Sequence, residues 1–138
     1  MTDLIRFGVS LEKDLLDKFD GLIGEKQYAS RSEAIRDLIR DALVQKDWES
    51  NREITGAITL VYDHHKRELV GSLMHIQHEY HDAIISAQHI HLDHHNCLEV
   101  VVVKGRARRA EELFHRLKSA KGVMHAGFTG TTTGENLK

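Results

Sequence analysis

AIISAQHIHLDHHNCLEVVVV, residues 83–103, contains two predicted strands joined by a short turn. Alternating side chains over residues 83–92 are typical of a strand, and the apolar run that ends at Val103 predicts a second strand that is buried on both faces. The same stretch holds four histidines and the only cysteine of the chain. Imidazole and thiolate bind late first-row transition metals, so these residues predict a metal site.

The segments on either side extend this into a pattern of strands and helices. A strand is predicted over residues 54–63, and apolar side chains at helical spacing predict a helix over 66–81. A second helix ends near Gly122, and a last strand follows over 123–129. This order predicts an α+β, ferredoxin-like or ACT-like βαββαβ domain with both helices on one face of an antiparallel sheet. The open apolar face is a natural oligomer interface.

The first 48 residues follow a different pattern. Residues 5–11 alternate, which predicts a half-buried strand, and two helices are predicted over about 12–28 and 30–48. A capping-box spacing from Ser30 to Glu33 marks the start of the second helix. A lone strand leaves its backbone groups without partners, so we expect two copies to pair as an antiparallel ribbon. This arrangement resembles ribbon-helix-helix domains, whose ribbon fits the DNA major groove.

The outer face of this predicted ribbon carries the candidate DNA contacts Arg6, Gly8 and Ser10. The start of the second helix, at Ser32, offers free amide groups to a DNA phosphate. An ordinary solvated strand face explains the same pattern equally well, and Gly8 has no side chain to hydrogen-bond a base. The net charge of -2, from 19 basic and 21 acidic residues, excludes a strongly electropositive nucleic-acid binder, so any DNA contact must be local.

The distribution of apolar, cysteine and polar residues predicts the cellular compartment and the domain boundary. No apolar run approaches a membrane span and the N-terminus lacks a signal-peptide core, so we expect a cytoplasmic protein without membrane contact. A single cysteine excludes an intramolecular disulfide. The polar stretch 49–53 is the expected linker between a domain over 1–48 and a domain over 54–138.

Period-two alternation places His89 and His91 on one strand face, and we assign them to the open face because Ile90 and Leu92 are assigned to the core. For Cys97 to join them, the turn over residues 93–96 must return the chain so that Cys97 lies beside His91, which a five-residue loop over 92–96 would do. On the preceding helix His78 faces away from its own sheet, so as a ligand it would bridge subunits. His75 and His81 are alternatives to it. The other histidines are expected to face solvent, namely His64, His65, His94, His95, His115 and His125.

Four motifs carry a resemblance to the NikR family of nickel-responsive transcriptional regulators: residues 31–37 (RSEAIRD), Gln77-His78, His89-Ile90-His91 and 96–99 (NCLE). The resemblance implies a homotetramer, a dimer of dimers, that binds a palindromic double-stranded DNA operator more tightly with Ni(II), as a repressor of nickel uptake genes. It also implies residue roles. These are square-planar Ni(II) ligands His89, His91, Cys97 and, from another subunit, His78; base-reading positions Arg6, Gly8 and Ser10; DNA contacts Lys66 and Arg67; and a second cation site at Glu33 and Asp37.

Two other functions compete with that of a regulator. A metallo-enzyme of ferredoxin-like fold needs an open coordination position and a nearby acid or base, for which Asp82, Asp93 and Glu99 are available. Four protein ligands in a plane leave no such position. Neither an enzyme nor a nickel storage or delivery protein explains residues 1–48, so we expect a protein that is not an enzyme.

Overall fold

The computed structural model describes residues 3–138. The chain forms two compact units. The first ends at Leu43 and includes Asn136–Lys138, and the second is Val44–Glu135. None of the four α-helices in the described range combines the length and hydropathy that a membrane crossing requires.

The first unit contains helix α1, Lys13–Glu25, and most of helix α2, Arg31–Glu49. Both begin and end close to the predicted positions. The Ser30 hydroxyl accepts a hydrogen bond from the backbone N–H of Glu33 at 3.2 Å, which is the N-cap contact that the sequence predicts. Two parallel hydrogen bonds of 2.9 and 2.8 Å from the Arg31 guanidinium to Asp20 join the helices.

The predicted strand over residues 5–11 is not formed as a strand in the single chain. Residues 3–12 have no regular secondary structure and all are exposed, including Phe7 at 70% and Val9 at 59%. A strand is defined by hydrogen bonds to a neighbour, and the expected neighbour is the same segment of a second copy. The alternating apolar side chains are thus left without a surface to pack on.

The second unit is the expected βαββαβ domain. Its elements are strand β1 Glu53–Asp63, helix α3 Arg67–Glu79, strand β2 Ile84–His91, strand β3 Asn96–Arg106, helix α4 Ala107–Ser119 and strand β4 His125–Gly130. The sheet order is β2-β3-β1-β4, and all three pairings are antiparallel. The ferredoxin-like prediction is confirmed. β3 is longer than predicted at both ends, because ladder bonds to β1 extend through its polar ends.

One face of this sheet is covered by both helices. Alternate β1 side chains from Ile54 to Tyr62 are buried together with α3 residues such as Leu73 and α4 residues such as Leu113. The opposite parity of β1 and β3 is only half-buried, namely Thr55, Ala57, Thr59, Val61, Leu98, Val100 and Val102. The sheet therefore has one closed core face and one open face.

Candidate metal centre

The β2–β3 hairpin holds three of the four predicted nickel ligands. His91 lies directly opposite Cys97, and His89 lies opposite Glu99. Directly opposite residues of an antiparallel pair point to the same face of the sheet. The side chains of Cys97 and Glu99 are buried, each 1% exposed, and Cys97 lies in the core that the helices cover.

His89 and His91 consequently face the helix side, and the prediction that they face the open side was wrong. The error lay in assigning the apolar Ile90 and Leu92 to the core, whereas they are 38% and 53% exposed. β2 is one of the two edge strands of the sheet, and nearly all of its side chains are exposed on both faces. Apolar character on such a strand does not identify the core face.

A buried carboxylate supports the hairpin from the helix side. The Tyr62 hydroxyl and the Gln77 amide each donate a hydrogen bond of 2.6 Å to Glu99, one to each carboxylate oxygen. His89 Nε2 lies 3.7 Å from Glu99, and its Nδ1 lies 3.4 Å from the Tyr62 hydroxyl. Burial, together with the bond to Glu99, raises the pKa of Tyr62, which keeps its hydroxyl protonated as a donor. This network orients the His89 ring.

The thiol of Cys97 lies in the buried core of the second unit. Burial raises the pKa of the Cys97 thiol, while its contact with the Tyr62 hydroxyl acts in the opposite direction. The thiol is thus neutral in the metal-free chain, and a bound cation would favour the thiolate. An imidazole pair with a thiolate suits Ni(II), Cu(II) or Zn(II).

The fourth predicted ligand lies elsewhere on the chain surface. His78 is exposed near the end of α3, where its ring stacks 5.9 Å from that of His81. Among residues 3–138, the group of three metal-binding side chains whose ligand atoms all lie within 4.8 Å of one another is Asp63, His65 and His95. It contains none of the predicted nickel ligands, so the single chain does not gather all four.

His64 is a neighbour of the site that the sequence did not single out. It was expected to face solvent, but it is half-buried and its ring stacks on that of His91, with centroids 4.7 Å apart and planes 4° apart. Its Nδ1 atom is buried without a hydrogen-bond partner. Burial lowers the pKa of His64, so it is neutral at pH 7. No periodicity signals this, because His64 follows the end of β1.

The candidate DNA contacts are all exposed. Arg6, Gly8 and Ser10 lie in the segment before α1, and Ser32 lies in the first turn of α2. In the second unit, Lys66 is the N-cap residue of α3 and Arg67 its first residue.

The predicted second cation site has one carboxylate already engaged. Glu33 and Asp37 lie one turn apart on α2, so their side chains share a face of the helix. The Tyr28 hydroxyl donates a hydrogen bond to Asp37 Oδ2. Glu33 is exposed and Asp37 half-buried.

Comparison with known families matches both parts of the chain. Residues 5–46 match the family described as "Ribbon-helix-helix protein, copG family", and residues 55–131 match "NikR C terminal nickel binding domain". Part of the chain also resembles in fold the structure of the uncharacterized protein TM1266 from Thermotoga maritima. That match has a TM-score of 0.52 and 12% identity, and it covers 57% of this chain and 98% of the other.

Curated relatives match over nearly the full length. A protein of Desulfovibrio desulfuricans is 56% identical over 137 residues, which is 99% of each chain. One of Nitratidesulfovibrio vulgaris strain DP4 is 58% identical over 134 residues, or 96% of each chain. One of Geobacter sulfurreducens is 56% identical over 138 residues, or 99% of each chain. All three bear the name "Putative nickel-responsive regulator".

Proposed function

The chain belongs to the NikR family of nickel-responsive regulators, which are not enzymes, and from this premise we propose that it is a repressor whose affinity for a palindromic DNA operator rises when Ni(II) binds. Its targets would be nickel uptake genes, and its location the cytoplasm. Residues 1–48 would be the DNA-binding and dimerisation domain, 49–53 the linker, and 54–138 the metal-binding and tetramerisation domain.

The proposed Ni(II) ligands are His89, His91 and Cys97 of one subunit and His78 of the partner subunit. The observation that carries this proposal is the pairing of His91 with Cys97 across the hairpin. His89 lies two residues before His91 on β2, so its side chain points to the same face. Two imidazoles and a thiol thereby stand on one face of the β2–β3 hairpin. A third imidazole would complete a donor set of three nitrogens and one sulfur, which suits square-planar Ni(II).

A homotetramer is supported by two surfaces that need a partner. Before α1, the alternating apolar side chains are exposed, as expected of a strand that pairs with a second copy. In the second unit, the open sheet face carries Val100 and Val102 at half burial. Ribbon pairing would make the dimer, and packing of open sheet faces would make the dimer of dimers.

The proposed DNA contacts divide between the two units. Arg6, Gly8 and Ser10 would lie on the ribbon face in the major groove, and Ser32 at a helix N-terminus would hold a phosphate. Lys66 and Arg67 would contact the DNA backbone from the second unit.

Nickel binding and DNA binding would be thermodynamically linked through the structure of the second unit. Gln77 precedes the proposed ligand His78 on α3 and holds Glu99, which lies opposite the proposed ligand His89. The same helix begins at Arg67. Occupancy of the site would order the partner subunit's α3, which supplies the fourth ligand, relative to this hairpin, and nickel would raise DNA affinity by its differential binding to that ordered state.

The direct test is nickel-dependent DNA binding by purified variants. His89→Ala is the better ligand variant, because the His89 side chain is 54% exposed and its loss should leave the fold intact, whereas Cys97 is part of the core. We expect His89→Ala to lose tight nickel binding and the nickel-induced gel shift, with the exposed His115→Ala as matched control. An unchanged shift in His89→Ala would rule out the proposed ligand set.

A second variant separates DNA reading from metal sensing. Arg6→Ala should lose operator binding, measured by fluorescence anisotropy, while calorimetry on the same sample shows nickel affinity unchanged. A storage or delivery protein would bind nickel without any nickel-dependent DNA complex in the unmodified chain. That result would replace the repressor proposal.

A further inference from the structure

Three side chains outside the proposed nickel site lie together at one end of the sheet. They are Asp63, His65 and His95, and their ligand atoms all lie within 4.8 Å of one another. His65 Nδ1 lies 3.3 Å from Asp63 Oδ1. Ligand atoms on a tetrahedral ion with bonds near 2.0–2.1 Å are about 3.3 Å apart, so small rotations would bring all three onto one ion.

The backbone holds these side chains in place. The chain repeats Asp-His-His at residues 63–65 and 93–95. In each copy the aspartate Oδ1 accepts a hydrogen bond of 2.9 Å from the backbone N–H of the second histidine, His65 or His95. Both turns are therefore closed in the same way, and each presents a histidine ring outward.

The sheet then sets the two turns side by side. Asp63 is the last residue of the β1–β3 ladder, and the backbone N–H of His64 donates to the carbonyl of His95 at 3.1 Å. The rings of His65 and His95 consequently approach to 5.4 Å between centroids. His65 and His95, which are 30 positions apart in sequence, join one cluster because two turns with the same Asp-His-His sequence meet at the end of paired strands.

The donor set decides the kind of ion. Two imidazoles and one carboxylate suit a borderline divalent transition ion such as Ni(II) or Zn(II), with water at a remaining position. Ca²⁺ and Mg²⁺ require mostly oxygen ligands and do not fit. Without a thiolate, and with His65 and His95 exposed, this site should bind more weakly than one that includes Cys97.

We propose that Asp63, His65 and His95 form a second divalent transition-metal site, separate from the site of His89, His91 and Cys97. An ion there would join the turn between β1 and α3 to the β2–β3 hairpin. That turn continues directly into Lys66, so the ion would also restrain the start of α3.

The test is a calorimetric titration of the full-length, metal-free protein with Ni(II) at neutral pH. We expect a tight event at one equivalent per chain and a second, weaker event. In the double variant His65→Ala/His95→Ala the first event should persist, and the second should weaken by at least about tenfold. His115→Ala is the control and should retain both events, because His115 is an exposed histidine on α4 that is not part of the cluster.

Two further variants test the second metal site independently of the proposed nickel site. Asp63→Asn keeps an oxygen that can close the turn but removes the charge, and it should weaken the second event alone. Cys97→Ser should remove the first event and retain the second. A second event that persists in the double variant, its absence from the unmodified chain, or loss of both events together in the double variant would each overturn a separate site.

Discussion

Removing the Tyr62 hydroxyl should destabilise the second compact unit, because that hydroxyl donates to a carboxylate that has almost no contact with water. Glu99 is 1% exposed, and its two oxygens accept 2.6 Å bonds from Tyr62 and Gln77. A hydrogen bond to a charged group contributes about 1.5–3 kcal/mol. Tyr62→Phe keeps the ring in the core and removes only the donor, so we expect a loss within that range.

The assay is urea unfolding at one fixed protein concentration, since subunit association also contributes to apparent stability. A double-mutant cycle with Glu99→Gln isolates the pair. Glutamine retains the shape of the side chain without its charge, so Tyr62→Phe should cost less in the Glu99→Gln background. Coupling of at least about 1 kcal/mol is expected, above the roughly 0.3–0.5 kcal/mol within which independent changes add.

Additive costs in this cycle, or a Tyr62→Phe variant as stable as the unmodified chain, would refute the account of a buried charge held by two donors. The same variant has a second readout. Because the Tyr62 hydroxyl also lies 3.4 Å from His89 Nδ1, its loss should weaken nickel binding while leaving stoichiometry unchanged, by about 10–100-fold as for other residues that orient a metal ligand.

Four further variants have outcomes that follow from the packing and the surface charges. Leu113→Ala, at a fully buried position, should cost about 2–5 kcal/mol in urea unfolding. Gly56→Ala would place a Cβ 2.6 Å from a phenylalanine ring and 2.8 Å from a backbone carbonyl, so it should lower the free energy of unfolding by about 1–3 kcal/mol. Gly71→Ala, on an open helix surface, should instead raise the free energy of unfolding by roughly 0.5–1 kcal/mol. Urea unfolding measures both. The two hydrogen bonds from Arg109 lower the pKa of Asp82 below its usual 3.8. The difference in unfolding free energy between the unmodified chain and Asp82→Asn should therefore be fully present at neutral pH and shrink as the pH falls below 3.8. Urea unfolding at a series of pH values measures this difference.

The sequence by itself determined the element types and their order. Periods of two and 3.6 residues are local properties of the backbone, so the two N-terminal helices and the βαββαβ domain were predicted with ends close to those observed. The ligand candidates were also visible in the sequence, because the only cysteine and two alternate histidines lie within one hairpin.

Only the tertiary structure decided which way those ligands face and what surrounds them. A strand has two equivalent faces, and the register with β3 and the helix cover choose between them. For His89 and His91 that choice opposed the hydrophobic pattern, since almost every β2 residue is exposed, whichever face it is on. The Glu99 network and the Asp63–His65–His95 cluster join distant positions through strand pairing, which no local period records. The strand predicted over residues 5–11 is not formed in the single chain, and its proposed hydrogen-bond partner is the same segment of a second copy.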